Sequence, residues 1–467
     1  MDEQTPTVSL ISCMHFVQRG IAKAVPEKIE LTEKELEKII KQTANELRLT
    51  EEGEDESGDE NTETAATARD PPINPDDEFD FENYDEDNAV SNPVGIGTVA
   101  TLPNLGDLSE NVQIRTEGPD SDEEDDIIKP NDNLLLVGHV ESDASILEVY
   151  IYNKDEDSFY VHHDIILPWF PLCIEWLSHD PTDPNPGNLC ALGGMDPVIQ
   201  VWDLDIENCL EPAYKLGKKP NKKKKTKRVG HKDAVLDLSW NKNFTHVLAS
   251  GSADKTILLW DLDQGAPHTK LDYFQDKIQS VSFHPLEAQT LLSGSCDGRA
   301  RVSDCRSTEA RREWTLPAEI ERVVWDKQNP FCFAMANNLG QVAYVDCRQT
   351  EPLWTISAHE KEVTGLILSD QVPGLMVTVS MDEKLKTWDI SSSCAVQVSE
   401  RTCRVGQALC AAACPEAPLC VAVGGDNKQC CIEMLDLSAN EQVSGRFGSR
   451  PLINTTATPR TDDVMES

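Results

Sequence analysis

The 467-residue sequence lacks any run of the ~18–20 apolar residues that a membrane-spanning helix requires. It is poor in basic residues, with 42 Lys and Arg against 82 Asp and Glu, and poor in aromatics at 6%. The opening MDEQTPTVSL carries acids where a secretory leader needs a positive region, so secretion is not expected. The 15 cysteines include no C-x-x-C pair, and neither Cys410/Cys414 nor Cys430/Cys431 has zinc-finger spacing. An odd, scattered set of thiols points to a reduced, intracellular chain. G-x-x-x-x-G-K-[ST], G-x-S-x-G and H-E-x-x-H are absent, so the common nucleotide, acyl-transfer and zinc-hydrolase signatures are missing. The net charge of −40 repels nucleic acid and anionic membranes, so any contact with them must be local or made through a basic partner.

What the chain does have is a repeat. Strand-like segments ending in an apolar or aromatic residue and Asp recur at Trp202-Asp203, Trp260-Asp261, Asp304, Asp346, Trp388-Asp389 and Asp436. Their Asp-to-Asp steps are 58, 43, 42, 43 and 47, the long step holding the insertion GKKPNKKKKTKR. A further member, LEVYIYN, puts Asn153 at the Asp position 50 residues before Asp203. A second series, Trp176, Trp240, Phe283, Trp325 and Leu368, runs in phase, and Trp314 and Trp354 are spaced by 40. Each unit reads as three or four short alternating strands with turns such as SADK, SCDG and SMDE between them. One such sheet cannot cover both its faces, and radial stacking solves that; the predicted fold is an all-β, seven-bladed WD40-type propeller.

The predicted layout follows. Residues 1–20 supply an N-terminal strand of the first blade, with Phe16 at the aromatic site and ring closure as its use. Residues 21–50 hold a short helix, with Thr32 and Glu35 as a capping box and Leu36, Ile39, Ile40 and Leu47 on one face. Residues 51–130 are a disordered acidic segment of 26 acids and three basic residues, net −23, leaving −17 for the rest. The propeller body spans 131–449, and 450–467 form a disordered tail.

Four-residue networks of His, Ser, Asp and Trp are expected at His231, Ser252, Asp254 and Trp260, and at His359, Ser380, Asp382 and Trp388, where Thr378 could replace Ser380. They look catalytic on paper but are read as structural, joining strands through buried hydrogen bonds. In His162-His163-Asp164 neighbouring strand residues should face opposite sides, so one metal is not expected to take both histidines. No catalytic residue, cofactor or metal is assigned, and the chain is not read as an enzyme. Lys218, Lys219, Lys222, Lys223, Lys224, Lys225, Lys227 and Arg228 put eight cations in eleven residues, a nuclear-import signal or a phosphate-binding patch open to local RNA contact. Ser57 and Ser121, each followed by acids, suit an acidophilic kinase.

Blocks outside the repeat consensus carry a resemblance. VQRGIAKAVPEKIEL, SFYVHHDIIL, VWDLDIENCLEP, DAVLDLSWNK, HPLEAQTLLSGS, IERVVWD and the terminal FGSR and MES resemble the periodic tryptophan protein 1 family over nearly the whole chain. Val302-Ser303-Asp304 and Met434-Leu435-Asp436 depart from the repeat by lacking its Trp. The resemblance implies a nuclear, mainly nucleolar WD-repeat scaffold of ribosome biogenesis and rRNA processing, linked to chromatin. Expected partners are basic proteins, namely ribosome-assembly factors, ribosomal proteins or histones, met by a monomer inside a larger assembly and away from membranes. Two alternatives stand beside it: a histone-binding regulator of ribosomal RNA gene transcription, and a substrate receptor of a cullin–RING ubiquitin ligase. Asp304-Cys305-Arg306 and Asp346-Cys347-Arg348 echo the W-D-x-R signature of such receptors without its Trp.

Overall fold

The strand Val235–Trp240 (VLDLSW) buries Val235, Leu238 and Trp240, and its neighbour Val247–Ser252 is buried from its second residue on. Strands of this kind need cover on both sides, which the neighbouring sheets supply. A computed structural model describes residues 8–28, 127–142, 144–221, 225–307 and 310–453. Seven antiparallel sheets follow one another along the chain. Blades 1 to 6 have four strands each and blade 7 has three. The innermost strands are Ser9–Phe16, Pro171–Leu177, Val235–Trp240, Ile278–Phe283, Ile320–Trp325, Val363–Leu368 and Ala408–Ala413. Each packs beside the next, and the last packs beside the first, so the ring closes.

All seven inner strands break register at the same place, between Ile11/Cys13, Pro171/Cys173, Val235/Asp237, Ile278/Ser280, Ile320/Arg322, Val363/Gly365 and Ala408/Cys410. Such a bulge re-aims side chains, here toward the following blade. Asp237 Oδ2 accepts the Val281 N–H at 2.7 Å, and Ser280 Oγ accepts that of Val323 at 3.3 Å. Arg322 Nε donates to Thr364 O at 2.8 Å, Thr364 Oγ1 to Ala408 O at 2.7 Å, and Cys410 Sγ to Ile11 O at 3.6 Å. A belt of bonds thus links blade to blade around the channel.

Blade 1 is split. Ser9–Phe16 pairs with Asn133–Glu141, and Ala144–Asn153 and Ser158–Leu167 complete the sheet. Closure involves no exchange of strands with blade 7: Ile11 instead packs over Gly424, where a Cβ would come within 2.6 Å of Ile11 Cγ2. Any larger residue at 424 would push the first and last blades apart.

Three predicted boundaries shift. Residues 21–28 do not start a helix: Glu27–Lys28 pairs in parallel with Ile206–Glu207, and Lys23 N–H donates to Asp205 Oδ1 at 3.1 Å. The predicted acidic segment ends four residues early, because Ile128 is buried and its N–H donates to Ala24 O at 2.8 Å. The ordered chain also continues past 449, since Arg450 bonds Asp389 and the Ile453 N–H reaches Gln371 O at 2.9 Å. After blade 7 an unforeseen helix, α1 (Glu441–Phe447), is capped by Asn440 and buries Val443 and Phe447 against Val377, Leu385 and Val423. The predicted helix over 31–48, most of the acidic segment and residues 454–467 lie outside the described residues.

Candidate functional site

The two His-Asp-Trp constellations form, with a correction to the hydroxyl in each. In blade 3, Trp260 Nε1 donates to Ser250 Oγ at 2.8 Å, and Ser250 Oγ lies 2.7 Å from His231 Nε2. His231 Nδ1 faces Asp254 at 3.2 and 3.3 Å. Ser252, the predicted member, sits one step nearer the turn, where its Oγ accepts the Asp254 N–H at 3.1 Å and donates to Asp233 O at 3.2 Å. In blade 6, Thr378 takes the place predicted for Ser380: Trp388 Nε1 donates to Thr378 Oγ1 at 2.9 Å, and His359 Nε2 lies 2.7 Å from it. Ser380 repeats the turn role of Ser252, accepting the Asp382 N–H at 3.1 Å. The reason is reach. The hydroxyl that a Trp can meet lies ten residues before it, across the strand pair, whereas eight residues before it is already beyond the ring.

These groups are buried and mutually satisfied. Burial pushes the Asp254 carboxyl up, but hydrogen bonds from His231 and Thr256 outweigh it and hold it well below the usual carboxylate range. Burial lowers His359, so a neutral ring donating Nδ1–H to Asp382 is the arrangement the network favours. The bonds of the two networks join the strands of each blade. Blade 2 shows what happens without the hydroxyl: Leu192 stands ten residues before Trp202, and Trp202 Nε1 is buried with no hydrogen-bond partner.

The cysteines are all free. Cys13, Cys173 and Cys410 occupy the bulges of three consecutive inner strands, and burial pushes the Cys13 thiol up to about 12. Such thiols stay protonated and inert.

The basic run occupies a hairpin in the blade 2–3 connection. Lys218 and Val229 exchange backbone bonds at 2.8 and 3.0 Å, and Asn221 pairs with Thr226. Lys218, Lys219, Lys225, Lys227 and Arg228 are exposed; Lys222, Lys223 and Lys224 lie outside the described residues. Lys219 Nζ is 2.6 Å from Asp196, and Arg228 Nη1 donates to His231 O at 3.0 Å, so two of the cations also brace the loop. Ser57 and Ser121 lie outside the described residues.

On blades 4 and 5 a pair of arginines is presented alike. Arg306 makes a two-bond clamp on Asp304 at 3.0 and 2.8 Å, and Arg348 one on Asp346 at 2.9 and 2.7 Å. Both side chains are 64% exposed, and Arg348 lies 4.5 Å over the Phe331 ring.

The adjacent histidines overturn the predicted geometry. Val149 pairs with His163 and Tyr150 with Val161, which leaves His162 as the extra residue of a bulge. Alternation is suspended there, and His162 Nδ1 and His163 Nδ1 come within 2.8 Å of each other. Glu207, on the Ile206–Glu207 strand, faces them, with Oε1 3.8 Å from His162 Nδ1.

Seven radial sheets, with Trp-Asp strand ends tied through a hydroxyl to a His-Asp pair, define a WD40-repeat β-propeller, and the WD domain, G-beta repeat profile matches residues 222–261. The chain is 43% identical to the periodic tryptophan protein 1 homolog of Drosophila melanogaster over 439 residues, 91% of this chain and 94% of the relative. It is 30% identical to periodic tryptophan protein 1 of Saccharomyces cerevisiae, covering 94% of this chain and 90% of that one. An uncharacterized WD repeat-containing protein of Schizosaccharomyces pombe is 31% identical over 95% of this chain and 92% of its own length. The chain belongs to the periodic tryptophan protein 1 family and is a WD-repeat scaffold of that family.

Proposed function

We propose that this chain is a non-enzymatic assembly scaffold of ribosome biogenesis, working in the nucleolus and gathering basic clients such as ribosome-assembly factors, ribosomal proteins or histones. The observation that carries the reading is where the charge is attached. The net −24 of residues 51–126 belongs to a segment that leaves the ring after Lys28 and returns at Ile127, and both ends are tied down by backbone bonds at Asp205 and Ala24. A polyanion joined to the propeller at both of its ends attracts cationic proteins, and the propeller then supplies selectivity. The basic hairpin at 218–228 suits an import receptor or a local RNA contact.

The paired arginine clamps at Arg306 and Arg348 favour one second reading, docking to a cullin–RING adaptor. Affinity purification of the full chain at moderate salt separates the readings. Pre-ribosomal proteins and RNA should dominate; a yield dominated by nucleosomes would favour chromatin reading, and one dominated by a cullin adaptor would favour the ligase.

A further inference from the structure

The cluster at the outer edge of blade 1 has a use that neither the repeat nor the acidic segment explains. His162 and His163 lie on Ser158–Leu167, and Glu207 lies on a strand paired with Glu27–Lys28. The His162 side chain is 1% exposed, the Glu207 side chain 9% and His163 8%. Their three donor atoms all lie within 4.8 Å of one another.

Without an ion, one Nδ1 donates to the other across 2.8 Å. The Glu207 carboxylate, at 3.8 Å, is too far for a hydrogen bond to His162 Nδ1 yet aimed at it. Two imidazoles and a carboxylate around one tetrahedral ion, at metal–ligand distances of about 2.0–2.2 Å, would stand roughly 3.3 Å apart. The observed 2.8 and 3.8 Å bracket that separation.

We infer that His162, His163 and Glu207 form a divalent transition-metal site, of the zinc class, that clamps the outer strand of blade 1 to the 206–207 and 27–28 strand pair. Two nitrogens and one carboxylate oxygen suit zinc-like ions and are a poor set for calcium or magnesium, which take all-oxygen shells. Lys28 Nζ, 3.6 Å from Glu207 Oε2, holds the second carboxylate oxygen and leaves Oε1 for the ion. The clamp falls where the chain departs for the acidic segment, which is where blade 1 is discontinuous. Its role is therefore structural.

The test uses the full-length chain. Metal-free protein is titrated with zinc, its content is measured by mass spectrometry after dialysis, and the titration is repeated with cobalt. One equivalent should be retained. The cobalt spectrum should show ligand-field bands without the thiolate charge transfer that any of the cysteines would give. His163→Gln and Glu207→Gln should each lose that equivalent, together with the fall in Tm that a chelator causes in the unsubstituted protein. Should either variant fail to fold, 15N spectra of the unsubstituted protein decide the matter, because zinc must shift the Nδ1 resonances of two histidines. The inference is overturned by failure to retain one equivalent, by an equivalent that persists in both variants, or by histidine resonances that do not move.

Discussion

Trp260 Nε1 donates to Ser250 Oγ, and the same oxygen meets His231 Nε2, so one hydroxyl joins the third strand of blade 3 to the segment leading into its first. Thr378 does the same between Trp388 and His359 in blade 6. Losing that hydroxyl in blade 3 or blade 6 would orphan two buried ring nitrogens at once, the Trp Nε1 and the His Nε2. In blade 4 Ser303 stands 43 residues after Trp260 and its hydroxyl bonds that of Tyr273, while Arg301 pairs with Asp297 at 2.6 Å.

A double-mutant cycle separates the two serines. Trp260→Ala should cost about 3–5 kcal/mol through loss of a fully buried ring. Ser250→Ala and Trp260→Phe should be coupled by about 1 kcal/mol in chemical denaturation, whereas Ser252→Ala and Trp260→Phe should be additive within about 0.5 kcal/mol. Equal coupling at both serines would mean that the Trp bond is shared and the assignment to Ser250 is wrong.

The propeller was legible because its period survives the loss of individual Trp residues: Asp304 and Asp346 keep phase without them. The networks were legible only in part. Ser250 and Ser252 have the same strand parity, and one-dimensional spacing does not say which of two residues on one face a Trp ring reaches. The histidine pair was misread because alternation was assumed through His162, and a bulge leaves no mark in the sequence of a single strand. Glu27–Lys28 docked as a strand because Asp205, Ile206 and Glu207, some 180 residues away, offered the backbone partners. The closing helix did carry a signal, Asn440 as a cap with Val443 and Phe447 four apart on one face.

That helix hangs on one carboxylate. Asp389 is 1% exposed and takes Arg446 Nε at 2.5 Å and Arg450 through Nη2. Burial raises its pKa, but bonds from Arg450, Ser391 and Arg446 outweigh this and bring it well below the ordinary 3.8. The stabilisation is therefore complete above pH 3.8 and is lost as pH falls through the depressed folded value. Asp389→Asn should lower stability by about 2 kcal/mol at pH 7, and the gap to the unsubstituted protein should close steadily below pH 3.8. A gap independent of pH would show that the charge contributes nothing.

Glu175 carries the opposite sign. It accepts the Trp240 N–H at 3.0 Å and is pushed up to about 7 by burial. The folded chain keeps a proton that the unfolded chain releases near 4.5, so this group's contribution falls as pH rises from 4.5 to 7. Glu175→Gln should gain on the unsubstituted protein through that window, by up to about 3 kcal/mol, and level off above it. His15, lowered to about 3 chiefly by burial, changes stability in the reverse direction and its Nδ1 lies 3.7 Å from Glu175 Oε2, so the comparison is made in a His15→Gln background, where that titration is absent. A difference that stays flat between pH 5 and 8 would place Glu175 in contact with bulk water.

The basic hairpin should be separable from the fold. Its described cations are exposed, and the ladder at Lys218 and Val229 is made by backbone atoms. Replacing Lys222–Lys225 by Ala should leave Tm within about 1 °C, because loop substitutions away from packed groups change stability by less than about 0.5 kcal/mol. The same change should shift the protein from nucleus to cytoplasm in imaged cells. Unaltered nuclear accumulation would leave RNA contact as the use of the charge, read by crosslinking.

The acidic segment gives the test with the clearest arithmetic. Residues 51–126, of net −24, should bind basic proteins through many screened contacts, and the Debye length shrinks from about 8 Å at physiological salt to about 3 Å at 1 M. Deleting residues 51–126 should therefore weaken client binding strongly at low salt and little at high salt, where only the contribution of the rims survives. The ring should still close, since Ala24 and Ile128, on either side of the deletion, are already joined by a backbone bond of 2.8 Å. A phosphomimetic Ser121→Asp should act the other way and strengthen the low-salt binding slightly. Binding measured by calorimetry across a salt series decides it: equal affinity with and without the segment at every salt concentration would make it a passive linker, and the recruitment of basic clients would have to rest on the propeller alone.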